Sequence, residues 1–201
     1  MSFQVPITIQ KAIENIEQKK YFLPSIQREF VWKPEQIERL FDSIMKGYPI
    51  SSFLFWLVED DTIEEYQFYE FIRDYHEKNN RHNPKASIVG EKSITAILDG
   101  QQRLTSLYIG LKGSYAEKMP YKKWKHDNSF EKKELYLNLL KVSKNPDYTY
   151  DFRFLSKKEK DALSEDNYWF RVGEVLKFKN MNDVFQYLRS NNIALKPHIY
   201  L

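Results

Sequence analysis

The chain has 201 residues, 42% hydrophobic and 16% aromatic, which is enough apolar surface for a real core and a length that fits one large domain or one and a half small ones. A mean hydropathy of −0.65, 29% charged residues and no run near the roughly 20 apolar residues of a membrane span argue for a soluble protein, and a start without a basic segment followed by an apolar one argues against a secretory signal. Zero cysteines exclude disulfides and cysteine-ligated zinc and fit a reducing cytoplasm, while a net charge of +3 permits nucleic-acid contact without demanding it.

Residues 6–19 place Ile9, Ala12, Ile13 and Ile16 on one face and predict a short amphipathic helix. Tyr21-Phe22-Leu23-Pro24 reads as extended, because Pro24 disfavours helix at Leu23. Gln27-Arg28-Glu29-Phe30-Val31-Trp32 follows, polar and then aromatic. The clearest element starts at Pro34, where Ile37, Leu40, Phe41, Ile44 and Met45 form one wide apolar face, closed by Gly47 and barred from continuing by Pro49. Residues 50–58 predict a strand, buried on both sides because Phe53-Leu54-Phe55-Trp56-Leu57-Val58 shows no polar alternation.

Residues 62–78 predict a helix with Ile63, Tyr66, Tyr69 and Ile72 inward, and residues 79–84 a loop. Residues 88–98 predict one strand, or two joined at Gly90-Glu91. The helix after it carries Leu104, Leu107, Tyr108 and Leu111 at helical spacing and is closed by Gly110 and Gly113. Residues 135–140 and 148–155 predict a strand pair across Asn145-Pro146, residues 168–172 an extended piece and residues 181–189 a helix. Residues 194–201 carry no stop signal, and the chain reads as cut off before the protein is finished.

The densest polar cluster is Leu98-Asp99-Gly100-Gln101-Gln102-Arg103-Leu104-Thr105-Ser106-Leu107, at a strand's C-terminal end and a helix's N-terminal end. Free backbone N–H groups and the positive helix end make that junction a place to hold an anion. Arg103 adds a planar donor fork suited to phosphate, or pairs with Asp99 or Glu29 to brace the turn. Gly100 lets a backbone approach a phosphate, or simply turns the chain. Gln101 and Gln102 can orient a water or donate to phosphate oxygens, or cap the helix. Asp99 can hold Mg²⁺ or act on an attacking water, or serve as N-cap. Arg28 is the second candidate cation, or a structural partner of Asp42 or Asp99. Trp32 and Tyr48 can stack on a base or belong to the core.

A second cluster is basic: Lys112, Lys118, Lys122, Lys123, Lys125, Lys132 and Lys133, interleaved with Tyr121 and Trp124. It suits a phosphate backbone with aromatic stacking, or a solvated face. The four histidines show no metal-ligand spacing, and there is no Walker loop and no G-x-G-x-x-G.

Three boxes occur in order: Leu23-Pro24-Ser25-Ile26-Gln27-Arg28-Glu29-Phe30-Val31-Trp32, Ser43-Ile44-Met45-Lys46-Gly47-Tyr48-Pro49-Ile50, and Asp99 through Leu107. Together they resemble the N-terminal domain of GmrSD-type, modification-dependent restriction proteins over about residues 20–111, with weaker similarity to the end. The resemblance implies an α+β fold of the ParB/sulfiredoxin kind, a mixed sheet with flanking helices. Its nucleotide-binding core would span residues 5–112, with an α/β extension over residues 113–201. It implies binding, and hydrolysis, of a nucleoside triphosphate with Mg²⁺, coupled to restriction of DNA by the full-length protein. Carried over residue by residue, nucleotide contact falls to Gln27, Arg28, Gly100, Gln102, Arg103 and Thr105, and catalysis to Asp99, Gln101, Gln102 and Arg28. The other reading is a non-catalytic DNA-binding or protein-interaction module on the same fold. The family's later Arg/Lys-Leu-Asn-x-Gly-Gly box is absent here, so a second part of the site is expected beyond Leu201. No His-Asn-His-type motif occurs, so cleavage is expected from a separate nuclease domain or subunit.

Overall fold

A computed structural model describes residues 5–59, 62–163 and 165–193. The expected unfinished end at residues 194–201 lies outside the described residues. Among the described residues, no helix is long and apolar enough to cross a membrane.

The chain opens with α1 (Ile9–Glu17), capped by the Thr8 hydroxyl, which accepts from the Lys11 amide at 3.1 Å. Strand β1 (Tyr21–Pro24) leads to α2 (Pro34–Met45), then β2 (Leu54–Glu59), α3 (Thr62–Glu65), β3 (Phe68–Tyr69), β4 (Asp74–His76) and β5 (Ser93–Asp99). Helix α4 (Gln101–Lys112) follows β5 directly, and β6 (Ser114–Ala116) follows α4. After a short 3₁₀ turn, β7 (Glu134–Val142) and β8 (Tyr150–Leu155) form an antiparallel pair. Then come α5 (Lys157–Ala162), β9 (Trp169–Arg171), a 3₁₀ stretch (Val172–Lys177) and α6 (Met181–Ser190).

The expected α+β architecture with a mixed sheet holds. The main sheet has the order β2-β5-β1-β3, with β5 and β1 parallel and the outer pairings antiparallel. Both of its faces are covered, and the period of two separates them. Phe22, Ile94 and Ala96 face a small cluster with Val58, Ile63 and Phe68, while Leu23 and Ile97 face the main core. That main core runs from Ile13 and Ile37 through Leu107 and Ile109 to Leu135, Phe152 and Phe154, so residues beyond 113 pack into it directly. β4 and β6 form a parallel pair, and β8-β7-β9 a third, antiparallel sheet.

Two acids, the buried Asp42 and the half-buried Glu38, fasten that third sheet to α2. Asp42, 2% exposed, accepts the amides of Thr149 at 2.9 Å and Tyr150 at 2.8 Å and is paired with Lys46 at 2.7 Å. Glu38 accepts the Phe154 amide at 2.8 Å, and burial pushes its carboxyl up to about 7.

Three expectations are corrected. Residues 62–78 hold one short helix and two short strands instead of a long helix, because Phe68–Tyr69 pairs with β1 and Asp74–His76 with β6. β2 is an edge strand with Leu54 and Leu57 exposed, so its continuous apolar run does not mean burial on both sides. Gly110 sits inside α4 and does not end it. A Cβ there would lie 2.6 Å from the Phe41 ring, so the glycine lets α2 and α4 approach closely. Gly113 alone is the C-terminal cap.

Candidate functional site

β5 ends at Asp99, and Gly100 turns the chain into α4 with φ of +87°. An alanine there would be strained by that φ and would bring its Cβ to 2.4 Å from Phe53 Cδ1. The first helical bond closes from the Leu104 amide to the Gly100 carbonyl at 2.9 Å. The N–H groups of Gln101, Gln102 and Arg103 donate to no acceptor among the described residues. They are the orphan donors of a 12-residue helix, at its positive end, and no side chain caps them. Asp99 is therefore not the N-cap; Gly100 is.

All three sequence boxes meet at this junction. Gln27 Nε2 donates to the Leu98 carbonyl at 2.8 Å, and Gln101 Nε2 donates to the Arg28 carbonyl at 2.6 Å. Gln102 is engaged at both ends: its Nε2 donates to the Glu29 carbonyl at 2.9 Å, and its Oε1 accepts the Val31 amide at 3.0 Å. Arg103 reaches the middle box. Its guanidinium donates to the Ile50 carbonyl and, at 2.9 Å, to the Ser52 carbonyl, lies 4.7 Å over the Phe53 ring, and meets Asp99 Oδ2 at 3.3 Å. Gln27-Arg28 and residues 99–103 thus share one rim, although some 70 positions separate them.

These contacts redistribute the expected roles. Gln102 and Arg103 brace the loops of residues 28–31 and 50–53, so their polar groups are engaged within the protein. Bracing through Asp99 is one of the two readings of Arg103, but its main partners are backbone carbonyls. Thr105, expected at the nucleotide, is 2% exposed within α4. Gln101 is 6% exposed, with its amide nitrogen committed and its Oε1 free of any partner among the described residues. Arg28 is exposed and its side chain has no partner among the described residues, so it pairs with neither Asp42 nor Asp99. The Asp99 carboxylate is 68% exposed. Trp32 packs partly buried against the core, whereas Tyr48 is 62% exposed.

Sequence reasoning missed two partners of the site. The carbonyls of Ile50 and Ser52 receive Arg103, and His82 pairs with Glu29 beside Arg28. The first had a signal, since the middle box ends at Ile50. The second had none, because 53 positions separate the pair. A cavity of about 110 Å³ lies away from the junction, beside Lys19, Tyr21, Glu70 and Tyr108. Among the described residues, no group of three or more acidic, histidine or cysteine side chains is arranged to hold a metal ion.

Residues 9–199 match the family described as GmrSD restriction endonuclease, N-terminal domain. The chain is also 31% identical over 148 residues to the uncharacterized protein MJ0686 of Methanocaldococcus jannaschii, a match that covers 72% of this chain and 23% of that protein. The chain thus spans about a quarter of the length of that relative. With 191 of its 201 residues inside the family match and its three boxes joined at one helix N-terminus, the chain belongs to the GmrSD restriction endonuclease N-terminal domain family.

Proposed function

We propose that the N-terminal turn of α4 holds the phosphates of a nucleoside triphosphate, and that this domain is the nucleotide-binding, nucleotide-hydrolysing regulatory part of a modification-dependent restriction or phage-defence protein. The observation that carries the proposal is the set of three unpaired amides at Gln101, Gln102 and Arg103 behind a side-chain-free Gly100. In this reading the backbone grips the phosphate. The side chains of Gln102 and Arg103 set the angle at which the backbone is offered.

Arg28 supplies the mobile cation. It is exposed and unpaired among the described residues, and its carbonyl is held by Gln101, so its Cα is fixed while its guanidinium is free to reach phosphate. Asp99 supplies a single exposed carboxylate at the same turn. One carboxylate plus substrate phosphates is a donor set that fits Mg²⁺, which binds through few protein ligands and keeps its waters. Bound there, the ion would neutralise charge on the phosphate oxygens. In this reading the Oε1 of Gln101, without a partner among the described residues, orients a water beside that turn. DNA and a His-Asn-His-type nuclease domain or subunit are the partners this reading assigns to the full-length protein.

A second reading has its own support. Because Gln102 and Arg103 are spent on bracing, the motif makes structural sense without any ligand, as in a non-catalytic DNA-binding or protein-interaction module. Calorimetric titration with ATP and GTP in the presence of Mg²⁺ separates the two. Arg28→Ala should weaken nucleotide binding about tenfold, the low end for a charge-assisted bond. Wild-type and variant proteins of equal affinity, or an absence of binding to either nucleotide, would favour the second reading.

A further inference from the structure

The loop between β6 and β7 is the other polar cluster of the sequence, and nucleotide binding leaves it unused. Seven lysines lie between residues 112 and 133, and the structure sorts them. Lys112 pairs with Glu17 at 3.0 Å, Lys132 with Asp74 at 3.8 Å and Lys133 with Glu159 at 2.9 Å. Lys118 turns its ammonium inward onto the carbonyls of Met119 and Lys122, at 3.2 Å each. Lys122, Lys123 and Lys125 remain, all exposed and without an acidic partner among the described residues. The nearest acid in sequence, Asp127, is taken by Lys78 at 2.8 Å.

Two aromatic rings flank the three free cations. Trp124 is anchored edge-on against the buried Phe130 ring, centroids 5.2 Å apart, and stays 47% exposed. Tyr121 is fully exposed and sits at the third position of a turn closed from the Lys122 amide to the Met119 carbonyl, with Pro120 second and a φ of +63°. That position favours glycine, so a tyrosine there adopts a costly backbone conformation while its ring is fully exposed. The loop under these side chains is well tied: the Ser129 hydroxyl donates to the Lys123 carbonyl at 2.7 Å, and the Met119 amide to the Ser129 carbonyl at 2.8 Å.

We infer that residues 121–125 form a contact surface for a single-stranded nucleic acid, with Lys122, Lys123 and Lys125 on its phosphates and Tyr121 and Trp124 stacking on unpaired bases. Free lysines alone would suit any polyanion. The two exposed rings interleaved with them on a fixed loop favour a partner that offers both charge and flat faces. An acidic peptide would use the lysines and leave Tyr121 idle, and an anionic membrane, whose interface also takes aromatic rings, is separated by the vesicle arm of the test. The surface does not depend on nucleotide at α4 and is tested apart from it.

The test is fluorescence anisotropy of the 201-residue chain with labelled oligothymidine across a salt series. The affinity should fall with a log–log slope of about −2, as expected for roughly three neutralised phosphates on a single strand. Replacing Lys122, Lys123 and Lys125 together by serine should lower the affinity at least about tenfold and flatten the slope. Tyr121→Ala should lower it about fivefold or more, Tyr121→Phe should retain it, and a duplex of equal length should not distinguish the tyrosine from alanine. All five side chains are exposed, so equal melting temperatures can verify that each variant folds. No binding at low salt, binding unaffected by the triple lysine variant, equal strand affinity with and without the Tyr121 ring, or preference for phosphatidylserine vesicles or polyglutamate over the oligonucleotide would each overturn the inference.

Discussion

At the N-terminal turn of α4, the side chains of Gln101, Gln102 and Arg103 end on backbone groups of residues 28–31 and 50–52, whereas in the loop before β7 the side chains of Lys122, Lys123 and Lys125 end in solvent. Both regions are rich in groups that suit phosphate. In the first, the side chains are consumed and the backbone amides are left over. In the second, the loop is tied through the carbonyls of Met119, Lys122, Lys123 and Ser129, and the lysine side chains are left over. The difference teaches that a dense polar motif is not in itself a set of ligand contacts. What remains unpaired after folding decides what each region can bind.

The largest expected difference between the two regions is in stability. Arg103→Ala removes charge-assisted bonds to two carbonyls and a guanidinium–ring contact, leaving those carbonyls to find other partners, so a loss of about 3 kcal/mol is expected in urea unfolding. Gln102→Ala, which frees the Glu29 carbonyl and the Val31 amide, should cost about 2 kcal/mol. Values within 0.5 kcal/mol of zero, about what surface changes give, would mean that the junction does not depend on its side chains and would break the contrast.

A titration sharpens it by showing where stability is set outside both regions. Burial, with Glu35 adding to it, holds the Glu38 carboxyl at about 7 against the Phe154 amide that favours its charged form, while its ordinary value is 4.5. The folded value lies above the unfolded one, so the folded state favours the proton. This contribution is complete below about pH 4.5 and is lost as pH rises through 7. The chain should be about 2 kcal/mol more stable at pH 5 than at pH 8 from this group alone, and Glu38→Gln should flatten that part of the profile. An unchanged profile in the variant would remove Glu38 from the account of the α2–β8 seam.

The smallest stability effect belongs to the lysine loop. Serine at Lys122, Lys123 and Lys125 together should move the unfolding free energy by less than about 0.5 kcal/mol, since none is paired among the described residues. A larger loss would show that these side chains are structural after all, and the two regions would then differ less than their geometry indicates.

Much of the fold was legible because its periodicity is strong. α2 starts at Pro34 and buries Ile37, Leu40 and Phe41, and β5 hands over to α4 at Gly100, as the patterns imply. The pattern failed where pairing outweighed spacing. Ile63, Tyr66, Tyr69 and Ile72 sit at helical intervals, yet Phe68 and Phe71, off that face, are the more deeply buried aromatics. A run of Phe68-Tyr69-Glu70-Phe71-Ile72 has strand character, and β1 offered it an edge. At the site, the meeting of Gln27-Arg28 with residues 99–103 followed from the apolar elements that both border, but the fates of Gln101, Gln102 and Arg103 did not. Their partners are backbone groups, which every residue carries and which leave no mark in a sequence.

The central claim is that phosphate is held by the α4 backbone, and amide chemical shifts read that directly. In a nitrogen-15-labelled sample titrated with Mg²⁺ and nucleoside triphosphate, the N–H signals of Gln101, Gln102 and Arg103 should move together, and the nucleoside alone should leave them in place. Binding that shifts amides elsewhere while these three stay fixed would contradict the account.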